Sequence, residues 1–146
     1  MRGILLGTDL VDVAEVEHAL RTFGDRYLAR IYTPTEIAYA LASPSETARR
    51  LAARFAAKEA TIKALRASDV GVDPRSIEVT RAPDGACGVA LSGGAAVAAR
   101  RAGAHSLAVS MSHEGSIAIA VVVGERAGGS VSRLSTHARR RGAHRR

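Results

Sequence analysis

Arg54-Phe55-Ala56-Ala57-Lys58-Glu59-Ala60-Thr61-Ile62-Lys63-Ala64-Leu65 reads as the middle of a long helix, and the rest of the chain is organised around it. Just upstream, Ser43-Pro44-Ser45-Glu46 carries a start signal: Ser43 as N-cap, Pro44 at the first helical position, and Glu46 three residues after the cap. The helix is expected to run from Glu46 to Ala67. On a wheel of about 100° per residue, Leu51, Phe55 and Ile62 form an apolar stripe, with Glu59 about 40° and Lys63 about 80° from Phe55. Glu59 therefore borders the buried face. Spacing alone leaves two accounts of it. Glu59 and Lys63 are an i, i+4 pair in the favoured order, worth ~0.2–0.5 kcal/mol, which is the commoner arrangement. Alternatively, a divalent cation or the lysine offsets the desolvation of a carboxylate at the edge of the core.

Toward the N-terminus, Ile4-Leu5-Leu6 is a strand-like run ended by Gly7, after which Leu10, Val13, Val16 and Leu20 recur at helical spacing. Asp9 falls at this junction. It either caps the helix, the commoner role, or points into a cleft at the strand's end. Thr33-Pro34-Thr35-Glu36 opens another helix, expected to end near Ala42. Beyond Gly71, Ile77 to Thr80 and Gly88 to Leu91 predict a hairpin around Pro83-Asp84-Gly85. Ala95 to Ala102 is helical in propensity. Leu107, Val109 and Met111 alternate, Ser112 to Ser116 read as a turn, and Ile117 to Val123 is an apolar run suited to a central strand covered on both faces. The sum is an α+β fold with an antiparallel sheet and no internal repeat.

His113, beside Ser112 in that turn, is either solvated, caps its own backbone, or serves as a phosphate donor or a general acid/base near neutral pH. No GxSxG elbow supports a Ser-His hydrolase, and neither GxGxxG nor GxxxxGK[ST] occurs. The chain of 146 residues suits one domain. The lone Cys87 offers neither a disulfide framework nor a zinc site, which fits a cytoplasmic protein. No segment reads as a signal peptide, and the longest apolar run is far short of the ~20 residues of a membrane span. The net charge of +7 is a property of the tail: 14 basic and 14 acidic residues precede position 126, and seven arginines follow from Arg126 onward. Residues 1–125 are thus expected to form the domain. Residues 126–146, basic and with only Val131 and Leu134 as large aliphatics, are expected to be disordered. With three Tyr, two Phe and no Trp, stacking platforms for single-stranded nucleic acid are hard to assemble, so nucleic acid is not the expected partner.

Three segments read together remove the ambiguity: Gly7-Thr8-Asp9-Leu10-Val11, then Arg54-Phe55-Ala56-Ala57-Lys58-Glu59-Ala60 through Lys63-Ala64-Leu65, then Val109-Ser110-Met111-Ser112-His113. Their content and order resemble the holo-acyl-carrier-protein synthase family of 4'-phosphopantetheinyl transferases, over nearly all of residues 3 to 124. Tyr32-Thr33-Pro34-Thr35-Glu36 resembles the family's Thr-x-x-Glu segment. The resemblance implies an α+β phosphopantetheinyl transferase fold, a small antiparallel sheet packed with a long central helix. It implies transfer of the phosphopantetheine arm of coenzyme A to a carrier-protein serine, releasing adenosine 3',5'-bisphosphate. By that likeness Asp9 and Glu59 are ligands of Mg2+, and Glu59 also accepts the serine proton. Lys63 donates to the leaving phosphate, and Arg54, Ser112 and His113 contact coenzyme A phosphates. The likeness further implies a homotrimer with active sites between subunits, working in fatty-acid or polyketide biosynthesis.

This chain departs from the family in two places. Glu15, with Asp12 and Glu17 nearby, stands in the first helix where a basic residue often meets the acidic carrier; Arg21, Arg26 and Arg30 could supply that surface instead. Gly85-Ala86-Cys87 replaces a common Gly-x-Pro. The alternative expectation is a non-catalytic module of the same fold that holds coenzyme A or a carrier; the presence of Asp9, Glu59 and Lys63 together disfavours it.

Overall fold

The fold was analysed in a computed structural model, which describes residues 3–128. The chain runs β1 (Ile4–Asp12), α1 (Val13–Phe23), α2 (Asp25–Ile31), α3 (Pro34–Leu41), α4 (Thr47–Ala64), β2 (Ile77–Arg81), β3 (Cys87–Leu91), α5 (Gly93–Ala102), β4 (Ala104–Glu114) and β5 (Ile117–Arg126). Strands β1, β5 and β4 form one antiparallel sheet with β5 in the middle, and β2 and β3 form the expected hairpin. Helix α4 lies across the three-stranded sheet, so the expected α+β arrangement of a small sheet on a long helix is what the chain adopts. The basic tail expected over residues 126–146 falls outside the described residues from position 129. Arg126 still belongs to β5, where its N–H donates to the Gly3 carbonyl.

Strand β1 does not stop at Gly7. It pairs with β5 through Asp12, and Asp12, not Asp9, is the N-cap of α1, accepting from the Ala14 N–H at 2.9 Å. The ladder is continuous because β5 offers an unbroken apolar partner over the whole length. Asp9 is therefore a strand residue, opposite Ala120. Likewise β4 reaches Glu114, so His113 sits on a strand opposite Ala118, and the turn shrinks to Gly115 and Ser116. The start of α4 is also later than its signal. Pro44 to Glu46 make a short 3-10 turn in which Ser43 caps nothing through its side chain, whereas Thr33 and Glu36 form a full capping box on α3.

The inner face of the sheet packs small residues against α4. Leu5, Val11, Ala118, Ala120 and Val122 are buried against a helix face made largely of alanine: Ala52, Ala53, Ala56, Ala57, Ala60 and Ala64. Alanine loses almost no side-chain entropy on burial and lets the backbones approach. The outer face is different. Ile4, Leu6, Leu10, Ile117, Ile119 and Val123 all point away from α4 and are exposed, Ile4 to 73 %. Among the described residues strand β5 is thus central but covered on one face only, because no second layer of those residues lies above its alternate side chains.

A buried ion pair ties the hairpin to the helices. Lys58 and Glu36 are fully enclosed and paired at 2.8 Å. Lys58 also donates to the carbonyls of Pro74 and Ile77, and Glu36 accepts from the N–H groups of Thr33 and Val79. All three ammonium donors are used, so the cost of burying the charge is offset by partners from α3, β2 and the preceding turn. Burial lowers the Lys58 pKa, and Glu36 opposes that shift.

Candidate active site

Gly7 sets how near α4 comes to β1. A Cβ built on it would stand 1.9 Å from the Ala60 carbonyl oxygen and 2.7 Å from the Ala64 nitrogen, both backbone atoms. Only glycine admits this approach. The residues that follow, Thr8 and Asp9, consequently meet the turn of α4 carrying Glu59 and Lys63. Lys63 Nζ donates to Asp9 Oδ1 at 2.7 Å and to the Thr8 carbonyl at 3.2 Å. Glu59 accepts no hydrogen bond among the described residues. Burial raises its pKa above the ordinary glutamate value; the Asp9 charge adds to the rise, and Lys63 opposes it. The i, i+4 pair expected between Glu59 and Lys63 is therefore subordinate: the lysine bonds to Asp9, 54 residues away in sequence.

Two carboxylates held together with one ammonium leave negative charge only partly compensated. A divalent cation would complete that balance. Among the described residues no group of three or more His, Cys, Asp or Glu converges anywhere, so a site that demands an all-protein cage is not present. Two carboxylates suit Mg2+, which keeps several waters and takes remaining oxygens from a phosphate substrate.

The other expected residues gather elsewhere. A cavity of about 310 Å³ is lined by Tyr39 of α3, Arg50 and Arg54 of α4, Arg81 of β2, and Ser112 and His113 of β4, with the Glu46–Arg49 pair also on its wall. Arg54 is only 4 % exposed, and its Nε is buried with no partner. Burial lowers its pKa, with Tyr39 and Glu36 opposing. His113, opposite Ala118, is on the α4 side of the sheet, whereas Ser112, opposite Ile119, alternates to the outer face. The two therefore aim apart although both border the cavity. Neither Tyr39, Arg50 nor Arg81 was singled out by the sequence; each lies in a different segment, and no local spacing links them.

The acid cluster and the cationic cavity stand on opposite edges of the sheet. Asp9 on β1 and Met111 on β4 share one cross-strand row with Ala120 of β5 between them, about 9.6 Å apart at ~4.8 Å per strand. On α4 the two groups diverge as well, since Arg54 and Glu59 are about 140° apart around the axis.

The family model of the 4'-phosphopantetheinyl transferase superfamily matches residues 5–122, a span that includes Asp9, Glu59, Lys63 and His113. The chain belongs to that superfamily. It is 43 % identical over 117 residues to a holo-[acyl-carrier-protein] synthase of Gloeobacter violaceus, covering 80 % of this chain and 89 % of that one. Among solved structures it superposes on the Helicobacter pylori holo-[acyl-carrier-protein] synthase in complex with coenzyme A, with a TM-score of 0.70 and 30 % identity over 82 % of this chain and 98 % of that one. The Mycobacterium tuberculosis acyl carrier protein synthase is 36 % identical, with a TM-score of 0.64 over 86 % of this chain and all of that one. As a phosphopantetheinyl transferase the chain is an enzyme, and its α+β fold is that of the synthases. No helix among the described residues is long and apolar enough to cross a membrane.

Proposed function

We propose that this transferase moves the 4'-phosphopantetheine arm of coenzyme A to a serine hydroxyl of an acyl carrier protein, in a Mg2+-dependent reaction releasing adenosine 3',5'-bisphosphate. The observation that carries the reading is the convergence of Asp9, Glu59 and Lys63 from β1 and α4. Asp9 and Glu59 would hold the cation. Bound there, it supplies charge neutralisation for the pyrophosphate. The serine oxygen forms a bond to the phosphorus that bears pantetheine, and the bond from that phosphorus to the bridging oxygen breaks. Glu59, directly or through a water, receives the serine proton. Lys63 leaves Asp9 to donate to the departing phosphate. Arg54, with Ser112 and His113 at the cavity rim, takes the adenosine phosphates.

The separation of acid cluster from cationic cavity supports a site shared between copies of the chain. The exposed apolar face, with Ile4, Leu6, Leu10, Ile117, Ile119 and Val123, is a surface a second copy can cover, as in a homotrimer. Carrier docking falls to the basic surface of Arg26 and Arg30 beside the exposed Phe23, because Glu15 is unsuited to an acidic partner. The enzyme is read as cytoplasmic, with residues 1–125 as its catalytic domain.

The test is incubation with coenzyme A, Mg2+ and several unrelated apo carriers, read by mass spectrometry for the added arm. Transfer that Asp9→Asn and Glu59→Gln each remove is the expected result; no mass gain on any carrier sinks the proposal. Mixing the inactive Asp9→Asn chain with an inactive Arg54→Ala chain should restore activity if sites are shared. Deleting residues 129–146 should leave turnover intact.

A further inference from the structure

One aromatic ring organises the cationic cavity. Tyr39, half-buried on α3, has Arg54 Cζ 4.1 Å, Arg50 Cζ 4.5 Å and Arg81 Cζ 5.7 Å from its ring centroid. Polar contacts complete the arrangement. Arg50 Nη1 donates to the Tyr39 carbonyl at 2.8 Å, and Arg81 Nη1 donates to the Tyr39 hydroxyl oxygen at 3.1 Å. Arg54 Nη1 donates to the Arg50 carbonyl at 3.2 Å, and its buried Nε has no partner. Among the described residues no carboxylate pairs with any of the three; the neighbouring Glu46 is engaged by Arg49.

Three guanidiniums in one cavity repel one another; Glu46 lines the same cavity but is paired with Arg49, and Glu36 reaches Arg54 only through its charge, so among the described residues no carboxylate is bonded to the three. The negative π-face of Tyr39 holds them instead, since a ring attracts cations within about 6 Å of its centroid. The result is a preassembled set of planar donors whose geometry matches the terminal oxygens of a phosphomonoester dianion. A diester or pyrophosphate oxygen, with less charge per phosphorus, gains less from three cations than a terminal dianion does.

We propose that Tyr39 is a positioning residue that holds Arg50, Arg54 and Arg81 ready for the 3'-phosphate of coenzyme A, and so sets the preference for coenzyme A over its 3'-dephospho form. This rests on the reading that coenzyme A is the donor. Tyr39 itself touches no reacting atom. Its two parts are separable: the ring meets all three arginines, whereas the hydroxyl accepts from Arg81 and also favours the charged form of Arg54.

The experiment compares KM and kcat for coenzyme A and 3'-dephospho-coenzyme A in the full chain and in Tyr39→Leu and Tyr39→Phe. Removing the ring should raise KM for coenzyme A about tenfold and leave kcat within about twofold, because the lost interaction is ground-state binding. KM for the dephospho donor should stay within about twofold, since the phosphate that the arginines read is missing from it. Tyr39→Phe keeps the ring and should retain the preference to within about threefold. A Tyr39→Leu enzyme that loses both donors equally, or that keeps the wild-type preference, overturns the proposal. Should Tyr39→Leu fail to fold by circular dichroism, Tyr39→Gln removes the ring at the same half-exposed position and reads the same ratio. If the wild-type chain transfers nothing from coenzyme A, the donor reading fails. Calorimetry with adenosine 3',5'-bisphosphate and 5'-AMP then decides the role of Tyr39: discrimination lost in the ring-less variant supports it, and discrimination retained overturns it.

Discussion

Gly7→Ala is the substitution through which the packing of this fold reaches its chemistry. The new Cβ would stand 1.9 Å from the Ala60 carbonyl oxygen, when real Cβ contacts are essentially never under 3.0 Å. Because the obstacle is backbone, no rotamer change relieves it; α4 must retreat from β1 by more than about 1 Å. Overpacking of a filled interior costs ~1–3 kcal/mol, and a backbone clash belongs at the upper end, so a loss of about 3 kcal/mol is expected. That is a large part of a typical stability of ~5–15 kcal/mol but need not unfold the chain. The same retreat carries Glu59 and Lys63 away from Asp9, stretching the 2.7 Å contact. Misplacement of about 1 Å costs ~10²-fold in rate, equivalent to ~2.7 kcal/mol in the barrier. The assay is kcat/KM for carrier modification at a temperature where urea unfolding shows the variant more than nine-tenths folded.

Gly124→Ala is the control. Its Cβ would meet Leu107 Cδ2 at 2.6 Å and the Ser106 carbonyl at 2.8 Å, at the far end of β5 from Asp9. It should lose comparable stability while kcat/KM stays within about threefold, because the site is not moved. A Gly7→Ala chain with wild-type stability and turnover would refute the reasoning. So would a Gly124→Ala chain that loses as much activity, since the loss would then be general destabilisation.

Replacing Lys58 by Met strands Glu36 in the core and should cost ~3–5 kcal/mol in chemical denaturation, whereas a double Glu36→Gln, Lys58→Met chain should recover part of that loss. Glu59 binds its proton more tightly in the folded chain than in the unfolded one. Its contribution to stability is therefore full below the unfolded value near 4.5 and is lost as pH rises through the raised folded value, so Glu59→Gln should raise the neutral-pH Tm while removing turnover. Arg66 ends α4 with φ at 54° in a motif where its own N–H bonds to the Lys63 carbonyl and the Ala67 N–H to that of Ile62. Arg66→Gly should stabilise by ~1 kcal/mol, a rise of about 3 °C in Tm. Leu6→Glu, on the exposed sheet face, should reduce the mass measured by light scattering to that of one chain, and its activity should fall with it.

What the sequence made legible follows local periodicity. The interior of α4, the helix start at Thr33-Pro34-Thr35-Glu36, and the hairpin around Pro83-Asp84-Gly85 are local signals, and all three are present in the fold, whereas the capping box read at Ser43 to Glu46 is not formed and one stands at Thr33 and Glu36 instead. Strand ends were misplaced where pairing overrides local punctuation: Gly7 looked like a terminator, but a glycine in a strand also marks close approach by another backbone, which is its role here. Asp9, Glu59 and Lys63 were found through motifs, since nothing local connects residues 54 apart. Lys58 was legible in principle. It lies about 20° beyond Leu51 on the helical wheel, at the border of the apolar stripe, and a lysine buried there requires an acid. The Tyr39 cluster was not, because it draws on α3, α4 and β2 at once.

The helix at the centre shows how one element carries several constraints. Its alanine face must be small to accept Gly7 and the buried residues of β5, and that closeness fixes the distance from β1 to Glu59 and Lys63. Its Lys58 is held by Glu36, which anchors α3, and α3 carries Tyr39; the same helix carries Arg50 and Arg54. The acid cluster and the cationic cavity are thus tied to one rigid rod from two sides. Neither can shift without the other while α4 stays intact. A chain built this way needs little rearrangement within itself to bind a long, charged donor. If copies associate across the exposed apolar face, as proposed, the freedom lies between chains, and loss of that association should abolish transfer while each chain remains folded.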